Sequence, residues 1–172
     1  MIVLVGFMGA GKSTVGRLLA RKLDLRFADS DTEIEQRAGR RVREIFAADG
    51  EAAFRAQEQA VIADLIGGPD LVLALGGGAV QSEQTRRLLR PASVVYLQIS
   101  YAEMLRRVGG DPRRPMLRRP DVEDIYRRRL AGYESVATLT IATDGRRPGA
   151  VCLDVMNGLA GLRRVDRAGY SH

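Results

Sequence analysis

Near the start of the 172-residue chain, Gly6-Phe7-Met8-Gly9-Ala10-Gly11-Lys12-Ser13-Thr14 has the residue types and spacing to hold a phosphate chain. It satisfies G-x-x-x-x-G-K-[ST], with an apolar run, Ile2 to Val5, before it and a helical pattern, Ser13 to Leu23, after it. Glycines let backbone N–H groups turn inward with no Cβ in the way, and the first turn of the helix offers free N–H groups and a favourable dipole. Gly9, Ala10, Gly11, Lys12, Ser13 and Thr14 are therefore the expected nucleotide contacts. Lys12 supplies a cation for the β/γ-phosphates and Ser13 a hydroxyl for Mg²⁺.

A phosphate-transfer site also needs a metal-organising carboxylate and an acceptor. The run Leu71 to Leu75 ends in Gly76-Gly77-Gly78 and supplies no acid, which leaves Asp29 and Asp31 as candidates. Of the two, one is expected to face Mg²⁺ through water and the other the acceptor. Capping of the next helix by Ser30 or Asp31 is the competing or coexisting reading. The three glycines fit equally a plain tight turn or a close backbone approach to a ligand. Arg55 is either a solvated helix charge, paired with Glu58 three residues on, or an anion contact.

The elements that must position these residues alternate regularly. Strands are expected at Ile2 to Val5, Leu25 to Ala28, Leu71 to Leu75, Val94 to Ile99 and Leu139 to Ala142. Helices are expected between them, with Gly39 stopping the second helix and Gly50 opening a longer one. Ser100-Tyr101-Ala102-Glu103 reads as a capping box for a helix to about Val108, and Pro148 opens the last helix. The pattern predicts an α/β fold: a doubly wound, five-stranded parallel sheet with helices on both faces, of P-loop kinase type. It forms one domain over 1–172, with acceptor-binding helices at about 31–66. The segment from 109 to 122 carries three prolines and no periodicity and reads as a mobile lid, and the polar tail from about 163 is expected to fray. In such a sheet ligands bind beyond the C-terminal ends of the strands, which gathers the P-loop, Asp29 to Asp31 and Gly76 to Gly78 around one cleft.

Composition narrows the partners. One cysteine, Cys152, cannot form an internal disulfide and is expected to pack a helix, and the one histidine, His172, leaves no Cys/His metal site. No apolar run approaches the roughly 18 residues of a membrane span, so the expectation is no membrane and a cytoplasmic location. The formal net charge is +6, and all basic residues except Lys12 and Lys22 are arginine. Nine arginines fall between Arg106 and Arg129, which suits phosphate or carboxylate ligands. Aromatic residues are only 5%, and no nucleic-acid-binding motif is present, so no nucleic acid partner is expected.

Taken together, the P-loop, Asp29-Ser30-Asp31, Ile45-Phe46 with Asp49-Gly50-Glu51, Phe54-Arg55, Leu75-Gly76-Gly77-Gly78-Ala79-Val80 and Arg114-Pro115 resemble the shikimate kinases in order and content over roughly Ile2 to Val151. The resemblance implies transfer of the γ-phosphate of ATP, with Mg²⁺, to the 3-hydroxyl of shikimate, by an enzyme of aromatic amino acid biosynthesis that is expected to be a monomer. It implies Ser13 and Asp29 at the metal, and Asp31 orienting or deprotonating the attacking hydroxyl. Arg55 would bind the carboxylate with Gly76, Gly77 and Gly78 beside it, and Phe46 and Phe54 would wall the ring. Arg114 would be the lid arginine, Arg107 a phosphate contact, and Arg146 the adenine neighbour. Lys12, Asp31 and Arg114 are the catalytic set. The family's second carboxylate-binding arginine usually stands in R-x-P-L-Y, whereas this chain reads Arg129-Leu130-Ala131-Gly132-Tyr133 and is shorter after the lid. Spacing to the tyrosine selects Arg129, with Arg127 and Arg128 as the register alternatives. Competing readings are a kinase for another hydroxy acid such as gluconate, and a non-catalytic nucleotide-binding module.

Overall fold

The computed structural model describes residues 1–110 and 115–168. Five parallel strands, β1 (Ile2–Val5), β2 (Arg26–Asp29), β3 (Leu71–Ala74), β4 (Ser93–Gln98) and β5 (Leu139–Ala142), form one sheet in the order β2-β3-β1-β4-β5. Every residue of β1 and β3 is buried, so both faces of the central strands are covered; β5, at an edge, alternates between half-buried and exposed. The helices are α1 (Lys12–Leu23), α2 (Ser30–Ala38), α3 (Val42–Gly67), α4 (Glu83–Leu88), α5 (Tyr101–Val108), α6 (Val122–Val136) and α7 (Pro148–Ala168). α1 packs on β1, β3 and α7, α3 on α2 and α4, and α6 on β4 and the 3₁₀ turn Ala79–Gln81. Cys152 is fully buried in α7.

Register aligns the site. Asp29 pairs with Ala74 across β2 and β3, and the Leu75 N–H donates to the Leu4 carbonyl at 3.0 Å. The C-terminal ends of β1, β2 and β3 thus lie side by side, and the loops that follow them share one rim.

Several local expectations are corrected. The cap of α2 is Asp29, whose carboxylate accepts from the Asp31 N–H at 3.2 Å, because the backbone is still extended at Asp29 (φ −125°, ψ 122°) and already helical at Ser30. Residues two apart share a face in extended chain, so it is this strand-to-helix turn that lets Asp29 and Asp31 diverge. The capping box at α5 is half formed. The Ser100 hydroxyl accepts from the Glu103 N–H at 3.2 Å, but the Glu103 carboxylate is taken by Arg106 and Arg107, and the Ser100 N–H goes to Asp144. The expectation at Gly50 holds: with φ +82° and ψ 173° it breaks α3 into two arms and opens the longer second one.

Candidate active site

The P-loop runs from β1 into α1 through three glycines at positive φ: Gly6 (145°), Gly9 (78°) and Gly11 (94°). A Cβ on Gly6 would lie 2.5 Å from the Leu97 carbonyl oxygen, so the loop's first turn has no room for a side chain. The Lys12 ammonium donates to the Gly6 and Phe7 carbonyls at 2.8 and 3.2 Å, which folds it back over the loop it serves. The Ser13 hydroxyl donates to Asp29 Oδ2 at 2.8 Å. That hydroxyl–carboxylate pair is a hard-oxygen set that fits Mg²⁺. Among the described residues no group of three or more His, Cys, Asp or Glu could hold a metal, so an ion here would keep several waters, as Mg²⁺ does.

The acceptor side is built from α2, α3, α6 and the glycine loop. Gly76 leaves β3 beside two carboxyls: a Cβ on it would sit 2.5 Å from Asp31 Oδ1 and 3.1 Å from Glu58 Oε1. Its N–H donates to the buried Ser30 hydroxyl at 2.9 Å. Burial, then the charges of Asp29 and Glu58, push the Asp31 carboxyl up to about 6 against the opposing pull of Lys12. Burial also raises Glu58, which is 1% exposed, against the pull of Arg55 and Arg129.

Arg55 makes the expected pair with Glu58 and also faces the glycine loop. Its Nη1 donates to Glu58 Oε2 at 2.6 Å, and its guanidinium faces the glycine loop closely enough that a Cβ on Gly78 would lie 2.5 Å from Nη2. Phe46 and Phe54, one on each arm of α3, pack with ring centroids 4.4 Å apart, and Arg55 lies 5.3 Å from the Phe54 centroid. Arg129 reaches the same place from α6. Its Nη1 would be 3.4 Å from a Cβ on Gly77, and its Cζ lies 5.7 Å from the Phe7 centroid. Arg127 and Arg128 face away, paired with Glu123 and Asp121.

Two expected nucleotide contacts are otherwise engaged. Arg107 donates to the Gly9 carbonyl at 3.1 Å, to Glu103 at 2.7 Å and to the Thr143 carbonyl, so it ties the P-loop to the loop after β5. Arg146 is held by Asp154 at 2.5 Å and by the Ala142 carbonyl. Arg114 lies outside the described residues. Three residues not expected to contact ligand also stand at the glycine loop: Ser30, Glu58, and Tyr133, whose hydroxyl donates to the Gly77 carbonyl at 2.6 Å. A separate cavity of about 310 Å³, lined by Arg86, Arg87 and Arg90, lies beside the starts of β4 and β5 and holds no site residue.

The whole arrangement offers a phosphate cradle, a hard-metal pair, a carboxyl of raised pKa, and two arginines around main-chain donors. Comparison with known proteins shows what the chain is similar to. A family model for shikimate kinase matches residues 8–160. A shikimate kinase of Rhodococcus erythropolis is 47% identical over 153 residues, covering 87% of this chain and 90% of that protein. The structure of shikimate kinase from Acinetobacter baumannii in complex with shikimate matches with a TM-score of 0.87 at 38% identity, covering 93% of this chain and 92% of that one. A gluconokinase from Sinorhizobium meliloti, at 18% identity and a TM-score of 0.62 over 99% of this chain and 97% of its own, shares the fold alone.

Proposed function

Because the chain belongs to the shikimate kinase family, which transfers the γ-phosphate of ATP to the 3-hydroxyl of shikimate, we propose a division of labour among its own residues. The observation that carries it is the place of Asp31: under the influence of Lys12 on the phosphate side, and beside Gly76 and Glu58 on the acceptor side.

The N–H groups of Gly9, Gly11, Ser13 and Thr14, with Lys12, hold the phosphates, while the Ala10 N–H donates to the Phe7 carbonyl at 3.2 Å within the loop. Ser13 and Asp29 would hold Mg²⁺, which when bound neutralises charge on the transferring group. Arg55 and Arg129 take the shikimate carboxylate, and Phe46 and Phe54 exclude water from one face of the ring. Asp31 accepts the proton of the 3-hydroxyl as its oxygen attacks the γ-phosphorus and the bond to the ADP oxygen breaks. A carboxyl with a pKa of about 6 is mostly ionised at pH 7 and is a stronger base than an ordinary aspartate. Arg107 braces the P-loop instead of contacting phosphate directly.

The enzyme is proposed to act as a monomer. The large apolar side chains exposed among the described residues, Leu23, Leu105 and Leu153, are three scattered positions. The proposed compartment is the cytoplasm, which suits the free thiol of Cys152; among the described residues no helix is long and apolar enough to cross a membrane.

A coupled assay of ADP release with MgATP tests the assignment. Shikimate is expected to drive turnover and gluconate is not, and Asp31→Asn is expected to lower kcat by about 10²- to 10⁴-fold. An Asp31→Asn enzyme within tenfold of wild type would remove Asp31 from the chemistry.

A further inference from the structure

We infer that Tyr133 is a positioning residue for the acceptor: its hydroxyl fixes the Gly77–Gly78 peptide so that the Gly78 N–H is presented to the bound acid. The inference rests on the function proposed above and adds a residue to it.

The glycine loop is anchored at two points by side chains from distant elements. Ser30 of α2 accepts from the Gly76 N–H at 2.9 Å, and Tyr133 of α6 donates to the Gly77 carbonyl at 2.6 Å. The Gly77 and Gly78 N–H groups have no acceptor among the described residues. A trans peptide is planar, so its carbonyl and the following N–H point in opposite directions. Holding the Gly77 oxygen toward α6 therefore turns the Gly78 N–H away from α6. The Ala79 N–H closes a turn on the Gly76 carbonyl at 3.1 Å, and the Tyr133 hydroxyl is the side-chain restraint on the central peptide of that turn, whose two glycines would otherwise allow it to rotate.

Tyr133 is built to hold that bond. It is 1% exposed, and its ring stacks on Tyr96 with centroids 5.3 Å apart. Burial raises its pKa, which keeps the phenol a donor at any working pH. The Arg129 guanidinium stands beside it: a Cβ on Gly77 would be 3.4 Å from Arg129 Nη1 and 3.6 Å from the Tyr133 hydroxyl. The carbonyl side of the peptide thus meets Tyr133 and Arg129 of α6, while Gly78 is faced by Arg55 of α3, a Cβ there lying 2.5 Å from its Nη2. Gly132, beside Tyr133, faces the turn that α6 packs against, with Gln81 Nε2 2.7 Å from where its Cβ would be.

Tyr133→Phe removes the hydroxyl and keeps the ring stack; Tyr96→Phe removes the other hydroxyl of the stack and serves as the control. The expected result for Tyr133→Phe is a rise of about 5- to 20-fold in the shikimate KM, with the ATP KM within about twofold. Tyr96→Phe leaves both unchanged. The Gly78 amide resonance, followed by ¹⁵N–¹H NMR, is expected to shift on adding shikimate to wild type and to shift much less in Tyr133→Phe. An unchanged shikimate KM, or shikimate and ATP KM values rising together in step with a loss of Tm, would overturn the inference while leaving the proposed function intact. Absence of shikimate turnover in wild type would remove both.

Discussion

Replacing Arg55 with alanine should damage the enzyme twice, by two separable routes. Arg55 lies 2.6 Å from Glu58, whose side chain is 2% exposed, while the Arg55 side chain is 25% exposed. Taking away the guanidinium leaves a substrate carboxylate without its partner, which costs about 2–5 kcal/mol of binding, or roughly 30- to several-thousand-fold in shikimate KM. It also strands Glu58. Breaking a buried pair costs about 3–5 kcal/mol, and the lower end applies because Arg55 is partly solvated and Glu58 escapes by taking up a proton. A loss of about 3 kcal/mol lowers Tm by roughly 6–12 °C in a chain of this length. The pH dependence has a definite sign. Burial already raises Glu58, and losing Arg55 removes the main opposing cause, so its folded pKa moves further above the unfolded one. Its favourable contribution is then present at low pH and lost as pH rises through the folded value, so the Tm deficit is larger at pH 8 than at pH 5. The double variant Arg55→Ala/Glu58→Gln should recover most of the Tm and none of the shikimate KM. The reasoning fails if the second substitution restores no stability, or if Arg55→Ala binds shikimate as wild type does; calorimetry and the coupled assay together decide it.

The raised Asp31 carboxyl predicts an acid limb in kcat/KM for shikimate, with unit slope below a pH of about 6 and a plateau above it, because the proton acceptor must be ionised. Its stability sign is opposite to its catalytic one: the contribution is full below the ordinary value of 3.8 and lost as pH rises through about 6, so Asp31→Asn should melt higher than wild type at pH 8 while losing turnover. A flat pH profile between 5 and 8 would refute the first statement, and a lower Tm the second. Gly76→Ala places a methyl 2.5 Å from Asp31 Oδ1 and 3.1 Å from Glu58 Oε1, so it should cost about 1–3 kcal/mol of stability and lower kcat at least about tenfold by displacing Asp31. A Gly76→Ala enzyme with wild-type kcat would show that Asp31 has freedom to move.

Much of this is legible in the chain because it is local. The P-loop, the five strands and the break at Gly50 are written in short patterns of apolar and glycine residues, and the structure departs from them by a residue or so at element ends. What resists reading depends on contacts between distant segments. No local rule separates a tight turn from a ligand loop at Gly76 to Gly78, and the side chains that meet there, Asp31, Arg55 and Arg129, come from three helices distant in sequence. The cap of α2 turns on where the backbone leaves the extended region, which composition does not reveal. Arg107 reads as an available cation because its partners at Gly9 and Thr143 are 98 and 36 residues away. Helical spacing places Arg55 beside Glu58, yet that pairing and a ligand role are compatible, since the pair stands in the pocket wall.

The break at Gly50 has a consequence for inhibitor chemistry. Phe46 rides on the arm of α3 before it, and Phe54, Arg55 and Glu58 ride on the arm after it. A Cβ on Gly50 would meet nothing within 4 Å, so nothing crowds that position, while the Phe46–Phe54 ring pair, with centroids 4.4 Å apart, ties the two arms across it. The distance from Phe46 to the Arg55 guanidinium therefore depends on the angle at Gly50 and on that packing together. Bulkier analogues of the acid would gain room by opening that angle, and a series of them would report the stiffness of that joint and its ring pair.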